Sequence, residues 1–132
     1  MDLKLKDKVV LITGSTGGIG KAVTKAFFDE GCRLAVTSTK QEKLDALLES
    51  LGNPGEDRVR AYVLDITDEA AVKKTVDQVI ADFGSIYSLV ANAGYNGDYQ
   101  FIADATRENW DKVFEVNVFG VLWSMKYQNG VE

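Results

Sequence analysis

The sequence predicts an α/β fold, a parallel sheet wound with helices on both faces. Three observations carry that reading. Short continuous apolar runs, rich in β-branched residues, alternate with segments of helical periodicity. The connections between them are short enough to require parallel, right-handed crossovers. A glycine-rich turn, Thr13-Gly14-Ser15-Thr16-Gly17-Gly18-Ile19-Gly20, joins the first run to the first helical pattern.

Composition sets the outer limits. The chain has 132 residues, 45% of them apolar, which suits one domain over 1–132 with a real core. Lys and Arg number 15 against 20 Asp and Glu, a net charge of -5, which argues against nucleic acid or an anionic membrane as partner. There is no histidine, so the commonest general base and zinc ligand are missing, and no metal site is expected. The single Cys32 reads as a small buried hydrophobe. No signal peptide and no membrane span is expected, and a cytoplasmic location fits best.

The elements follow in order. Val9-Val10-Leu11-Ile12 is a strand buried on both faces. The helix after the glycine turn carries Ala22, Val23, Ala26 and Phe27 as its apolar stripe, and Gly31 ends it. Leu34 to Thr37 is the second strand. The second helix has Leu44, Leu47, Leu48 and Leu51 on one face, with Thr39 and Glu42 as its capping box. Val59 to Leu64 forms the third strand. Thr67 caps the third helix, whose buried face is Val72, Val76, Val79, Ile80 and Phe83, and Gly84 stops it. Ile86 to Ala91 is the fourth strand, followed directly by Asn92-Ala93-Gly94. Tyr95 to Asp104 reads as a loop. Thr106 then caps a long helix to about Tyr127, apolar nearly all round and in need of cover on several sides; Asn129-Gly130 would end it.

The expected strand order is 3-2-1-4, a Rossmann-type doubly wound sheet that stops after its fourth βα unit. Its switch point falls between strands 1 and 4, where such sheets bind ligands. The glycine turn and Asn92-Ala93-Gly94 are the two loops there. Glycines at four of the seven positions 14–20 suit a backbone that approaches a phosphate closely. The triphosphate-binding pattern fails, because Ser15 stands where its first glycine belongs and Ala22 where its hydroxyl belongs. The commoner dinucleotide fingerprint fails too, since Gly18-Ile19-Gly20 continues to Val23.

What remains is T-G-x-x-x-G-x-G after the first strand, Asn92-Ala93-Gly94 after the fourth, and Asn117 in the long helix. Together these resemble the short-chain dehydrogenase/reductase family, from Lys6 to about Tyr127. The resemblance implies roles. Gly14, Ser15, Gly18, Ile19 and Gly20 would wrap the pyrophosphate and adenosine ribose of a nicotinamide dinucleotide. Asp65, with Ile66 beside it, would bind the adenine amino group. Asn92, Ala93 and Gly94 would line the nicotinamide ribose. Asn117 matches the family's catalytic asparagine, which holds a water in the proton relay. Plain structural readings stand beside these: Asp65 as a loop acid, Asn92 as a strand brace, Gly17 and Gly31 as turn residues.

No acid follows the second strand to bind a ribose 2′-hydroxyl. Ser38, Thr39 and Lys40 stand there instead and suit a 2′-phosphate. NADP(H) is therefore expected before NAD(H), although Gly17 occupies the position of the family's common basic residue. Thr39 and Lys40 also read as a cap and an exposed first-turn residue.

The family's hydride transfer to a carbonyl or from an alcohol uses a serine and Y-x-x-x-K. Tyr62, Tyr87, Tyr95, Tyr99 and Tyr127 lead to Ile66, Ala91, Tyr99, Ala103 and Val131, so none begins that motif. Ser124 lies in the long helix and reads as structural. These 132 residues are thus expected to be a cofactor grip without its catalytic half, inactive alone. The substrate of the full protein would be a small or acyl-carrier-linked carbonyl or alcohol, as in 3-oxoacyl reductases. A homo-oligomer through the 106–127 helix is expected. The alternative function is a non-catalytic dinucleotide-binding module or sensor.

Overall fold

The computed structural model describes residues 1–129. Four parallel strands, β1 (Val9–Thr13), β2 (Arg33–Ser38), β3 (Val59–Val63) and β4 (Ser88–Ala91), lie in the order β3-β2-β1-β4. The helices are α1 (Gly18–Asp29), α2 (Gln41–Ser50), α3 (Glu69–Phe83), α4 (Arg107–Phe114) and α5 (Gly120–Asn129). In register, Ile12 sits between Val36 and Val90, so β1 is the central strand nearest the switch point.

Alternation along the strands divides the core in two. Val9, Leu11 and Ala35 face α3 through Val72, Val76, Val79 and Phe83, with Trp123 and Tyr127 of α5 packed beside them. Val10, Ile12, Leu34 and Val36 face the other way, against Leu44 and Leu47 of α2 and Val23 and Phe27 of α1. Each such fully buried side chain is worth about 1.5–3 kcal/mol in removed apolar surface. This two-sided burial is why the strands read as continuous apolar runs. Cys32 lies in the second cluster, and burial pushes its thiol pKa up, as suits a small hydrophobe.

Helix ends follow local chemistry. Gly31 (φ +84) closes α1: its N–H reaches the Phe28 carbonyl and the Cys32 N–H reaches that of Phe27. Gly84 (φ +92) ends α3 in the left-handed conformation. Two expected caps move. The residue before α2 is Lys40, with no side-chain cap, because β2 keeps the chain extended through Ser38 and Thr39 is spent in the crossing. The α3 cap is Asp68, whose carboxylate accepts from the Ala71 N–H, while Thr67 bonds back to Asp65. The buried stripe of α1 also rotates. Gly20 and Thr24 are buried, Val23 and Phe27 half-buried, and Ala22 and Ala26 exposed, because the close contact at Gly20 sets how the helix meets the sheet.

The long helix is real but not regular. Thr106 caps it, accepting from the Asn109 N–H, and a π-helical turn over Glu115–Phe119 interrupts it. Ser124 donates to the Gly120 carbonyl within the helix, the structural role expected of it. Trp110, Phe114, Val118, Leu122 and Met125, spaced by four, four, four and three residues, are each about half exposed. The predicted terminator Asn129-Gly130 runs beyond the described residues.

Candidate functional site

β1 delivers the chain to the switch point and Gly14 turns it. Gly14 has φ +63, and a Cβ there would stand 2.7 Å from the Ala93 Cα. Only glycine lets the two switch-point loops touch. The Gly14 carbonyl accepts from the Asn92 Nδ2 at 3.1 Å. A Cβ on Gly20 would overlap that same carbonyl oxygen and come within 3.0 Å of the Asn92 Nδ2. Gly14, Gly20, Asn92 and Ala93 are thus one contact. Thr13 completes it: its buried hydroxyl accepts from the backbone N–H of Asn92 at 3.1 Å and of Ala93 at 3.2 Å.

Gly18 behaves differently. A Cβ there meets nothing within 4 Å, and Ile19 is 73% exposed. Among the described residues, the N–H groups of Gly18, Ile19 and Gly20 have no backbone acceptor, and the first turn of α1 holds no acid. The positive end of a helix dipole therefore opens onto free space lined by unused donors. This arrangement fits the phosphates of a dinucleotide.

The other expected residues fall around this centre. Ser15 is fully buried; its hydroxyl donates to the Ile12 carbonyl at 2.7 Å and accepts from the Thr37 N–H at 3.1 Å. Its side chain lies under the loop and ties β1 to β2. At the end of β2, the Ser38 Oγ accepts from the Thr16 hydroxyl at 3.0 Å. Thr39 and Lys40 are exposed beside it. One oxygen of Asp65 accepts from the Thr67 N–H and hydroxyl at 2.9 and 2.7 Å, which orders the turn after β3. Ile66 is 7% exposed and packs on Gly120, where a Cβ would come within 2.5 Å of its Cδ1.

Asn117 lies in the π-helical turn, a distortion frequent at functional sites. The residue is exposed, not buried as an apolar helix suggests, because nothing in the described chain covers that face. Its Oδ1 accepts from the Tyr95 N–H and its Nδ2 donates to the Tyr95 carbonyl, both at 2.8 Å. A Cβ on Gly94 would stand 3.5 Å from that Oδ1. Gly94, Tyr95 and Asn117 thus form a second contact at the carboxyl end of β4.

Sequence reasoning assigned no role to the hydroxyls of Thr13, Thr16 and Thr37, nor to Gly120. Threonines in strands and turns are ordinary there, and only the packing of distant segments gives the Thr13 and Thr16 hydroxyls their partners. A groove of about 600 Å³ lies elsewhere, along the exposed face of α4 between Thr106, Trp110, Phe114 and Phe119. No helix among the described residues is long and apolar enough to cross a membrane.

The doubly wound parallel sheet, in the order 3-2-1-4 with the glycine turn and the Asn92 clamp meeting at its switch point, is a Rossmann-type fold. The chain matches the short chain dehydrogenase family over residues 8–128 and belongs to it. It is 42% identical over 127 residues to the uncharacterized oxidoreductase YvrD of Bacillus subtilis, covering 96% of this chain and 47% of that one. It is 41% identical over 120 residues to the 3-oxoacyl-[acyl-carrier-protein] reductase FabG of Thermotoga maritima, covering 90% of this chain and 48% of that one. Its fold is similar to that of an NAD+-bound xylitol dehydrogenase, with a TM-score of 0.89, 35% identity, and coverage of 96% and 48%. The chain spans about half the length of the curated relatives it matches.

Proposed function

We propose that this chain is the cofactor-gripping part of an NADP(H)-dependent oxidoreductase acting on a carbonyl or alcohol. The carrying observation is the contact of Gly14, Gly20 and Asn92, which leaves the N–H groups of Gly18, Ile19 and Gly20 free beside the end of β2. The dinucleotide, when bound, supplies the hydride. This chain's residues bind and orient it. The first turn of α1 would hold the pyrophosphate, the unengaged Asp65 oxygen would accept from the adenine amine, and Asn92 to Gly94 would flank the nicotinamide ribose.

The preference for NADP(H) rests on Ser38, Thr39 and Lys40. They place two hydroxyls and one ammonium, and no carboxylate, where a ribose 2′-substituent would lie. NAD(H) is the runner-up, as the NAD+-bound relative in fold illustrates. Asn117 would take part in the proton relay only with a serine and a Tyr-x-x-x-Lys supplied from outside these residues. The exposed stripe from Trp110 to Met125 supports a homo-oligomer, since an apolar face of that length costs solubility unless covered.

Fluorescence titration with NADPH and NADH tests this reading, paired with NADPH oxidation against a carbonyl panel. Tighter binding of NADPH than NADH supports it. Tighter NADH binding overturns the cofactor assignment, and failure of both to bind overturns the whole.

A further inference from the structure

Asn109 occupies the third position of α4, three residues after its cap Thr106. A polar side chain there commonly returns to the N–H of the cap residue. In this chain the Gln100 Oε1 takes the Thr106 N–H at 3.3 Å, and Asn109 is released for another task. Its Oδ1 accepts from the Asp98 N–H at 2.8 Å, and its Nδ2 donates to the Asp98 carbonyl at 3.0 Å and to the Gln100 Oε1 at 3.2 Å. Gly97 (φ +74) brings the loop down: a Cβ there would lie 2.7 Å from the Val113 Cγ2 and 2.9 Å from the Asn109 Oδ1. The loop is also held at Tyr95 by Asn117 and by Lys112, whose ammonium sits 4.9 Å over the Tyr95 ring.

This pinned loop leaves Gly94 at the ligand end of the sheet. Just beyond Asp98 it exposes three large side chains, Tyr99 at 103%, Phe101 at 84% and Ile102 at 80%. Side chains so bare, on a backbone so firmly held, suit contact with an apolar-bodied ligand. None of the bonds of Asn109 touches the Thr13–Gly20 turn.

We propose that Asn109 is a positioning residue. It sets the register of the loop over 95–102 as the substrate-side wall, and so selects carbonyls or alcohols with an apolar body without taking part in dinucleotide binding. This rests on the function proposed above.

The test compares Asn109→Ala and Asn109→Asp with the unaltered protein that carries this chain. Alanine removes both halves of the grip; aspartate keeps the acceptor for the Asp98 N–H and loses the donor. In the alanine variant, amide exchange over 96–100 should quicken about tenfold. The KM for an apolar ketone should rise about tenfold, with kcat and the NADPH Kd unchanged within about twofold. The aspartate variant should fall between, and it decides the matter if the alanine variant does not fold. Unchanged loop exchange, or a KM that does not move, overturns the role of Asn109 alone. Absence of dinucleotide binding or of turnover in the unaltered protein overturns the parent reading and this one with it.

Discussion

The Asn92 side-chain amide donates to the Gly14 carbonyl at 3.1 Å, joining two loops that lie 78 residues apart in sequence. That bond holds the glycine turn against the end of β4. Replacing Asn92 with alanine leaves the part-buried Gly14 carbonyl with only the long contact from the Gly17 N–H at 3.5 Å. The expected loss is about 1–2 kcal/mol of stability, read from the urea midpoint. Dinucleotide affinity should fall with it. A variant as stable as the parent would remove Asn92 from this role.

Gly14 and Gly18 should separate fold from function. Gly14→Ala forces a Cβ against the Ala93 Cα at a positive φ, and should cost about 1–3 kcal/mol. Gly18→Ala meets open space and should leave the stability, read from the urea midpoint, within about 0.5 kcal/mol of the parent. It should nevertheless weaken NADPH binding, because the added methyl enters the space assigned to the phosphates. Retained affinity in Gly18→Ala would move the ligand elsewhere.

Lys40→Glu places a carboxylate beside Ser38, where a 2′-phosphate would be repelled and a 2′-hydroxyl could donate. The ratio of NADPH to NADH affinity should drop about tenfold or more, roughly 1.4 kcal/mol. Calorimetric titration with both cofactors measures it; an unmoved ratio would take Lys40 out of the site.

Glu69 at the start of α3 accepts from Tyr127 and from Lys126 of α5, the latter at 3.0 Å. Those partners, Tyr127 first, hold its carboxyl below the ordinary value of 4.5. A carboxylate with a lowered folded-state pKa stabilises above its unfolded value, and that stabilisation is lost as pH falls through the lowered one. Acid should therefore loosen α5 from α3 below pH 4.5, seen in the fluorescence of Trp123. Glu69→Gln should weaken the dependence in that window, and an identical acid limb would refute the link.

Leu122, in the exposed stripe, should matter for association rather than folding. It is 46% exposed, so Leu122→Lys buries no charge in the described chain. Sedimentation should show a shift toward monomer with the circular dichroism unchanged. An oligomer that persists would place the interface elsewhere.

Apolar runs and helical periodicity determined the four strands and the two-sided core, and short connections determined their parallel order, since the central strands β1 and β2 bury both faces. The glycine spacing likewise pointed to the turn, because a missing side chain is visible wherever it occurs. Tertiary structure decided what those residues touch. Gly14 is demanded by Ala93 and Gly120 by Ile66, contacts between segments remote in sequence. The Ser15 hydroxyl lies beneath the loop and ties β1 to β2, a pairing between segments remote in sequence. Thr39 lost its cap because β2 runs one residue further than its apolar run suggests. Asn117 matched a motif, but its place in a π-helical turn with both amide atoms on Tyr95 follows from how the long helix meets the loop after β4. Local pattern carries burial and turn chemistry; the partners of a polar side chain depend on where distant segments pack.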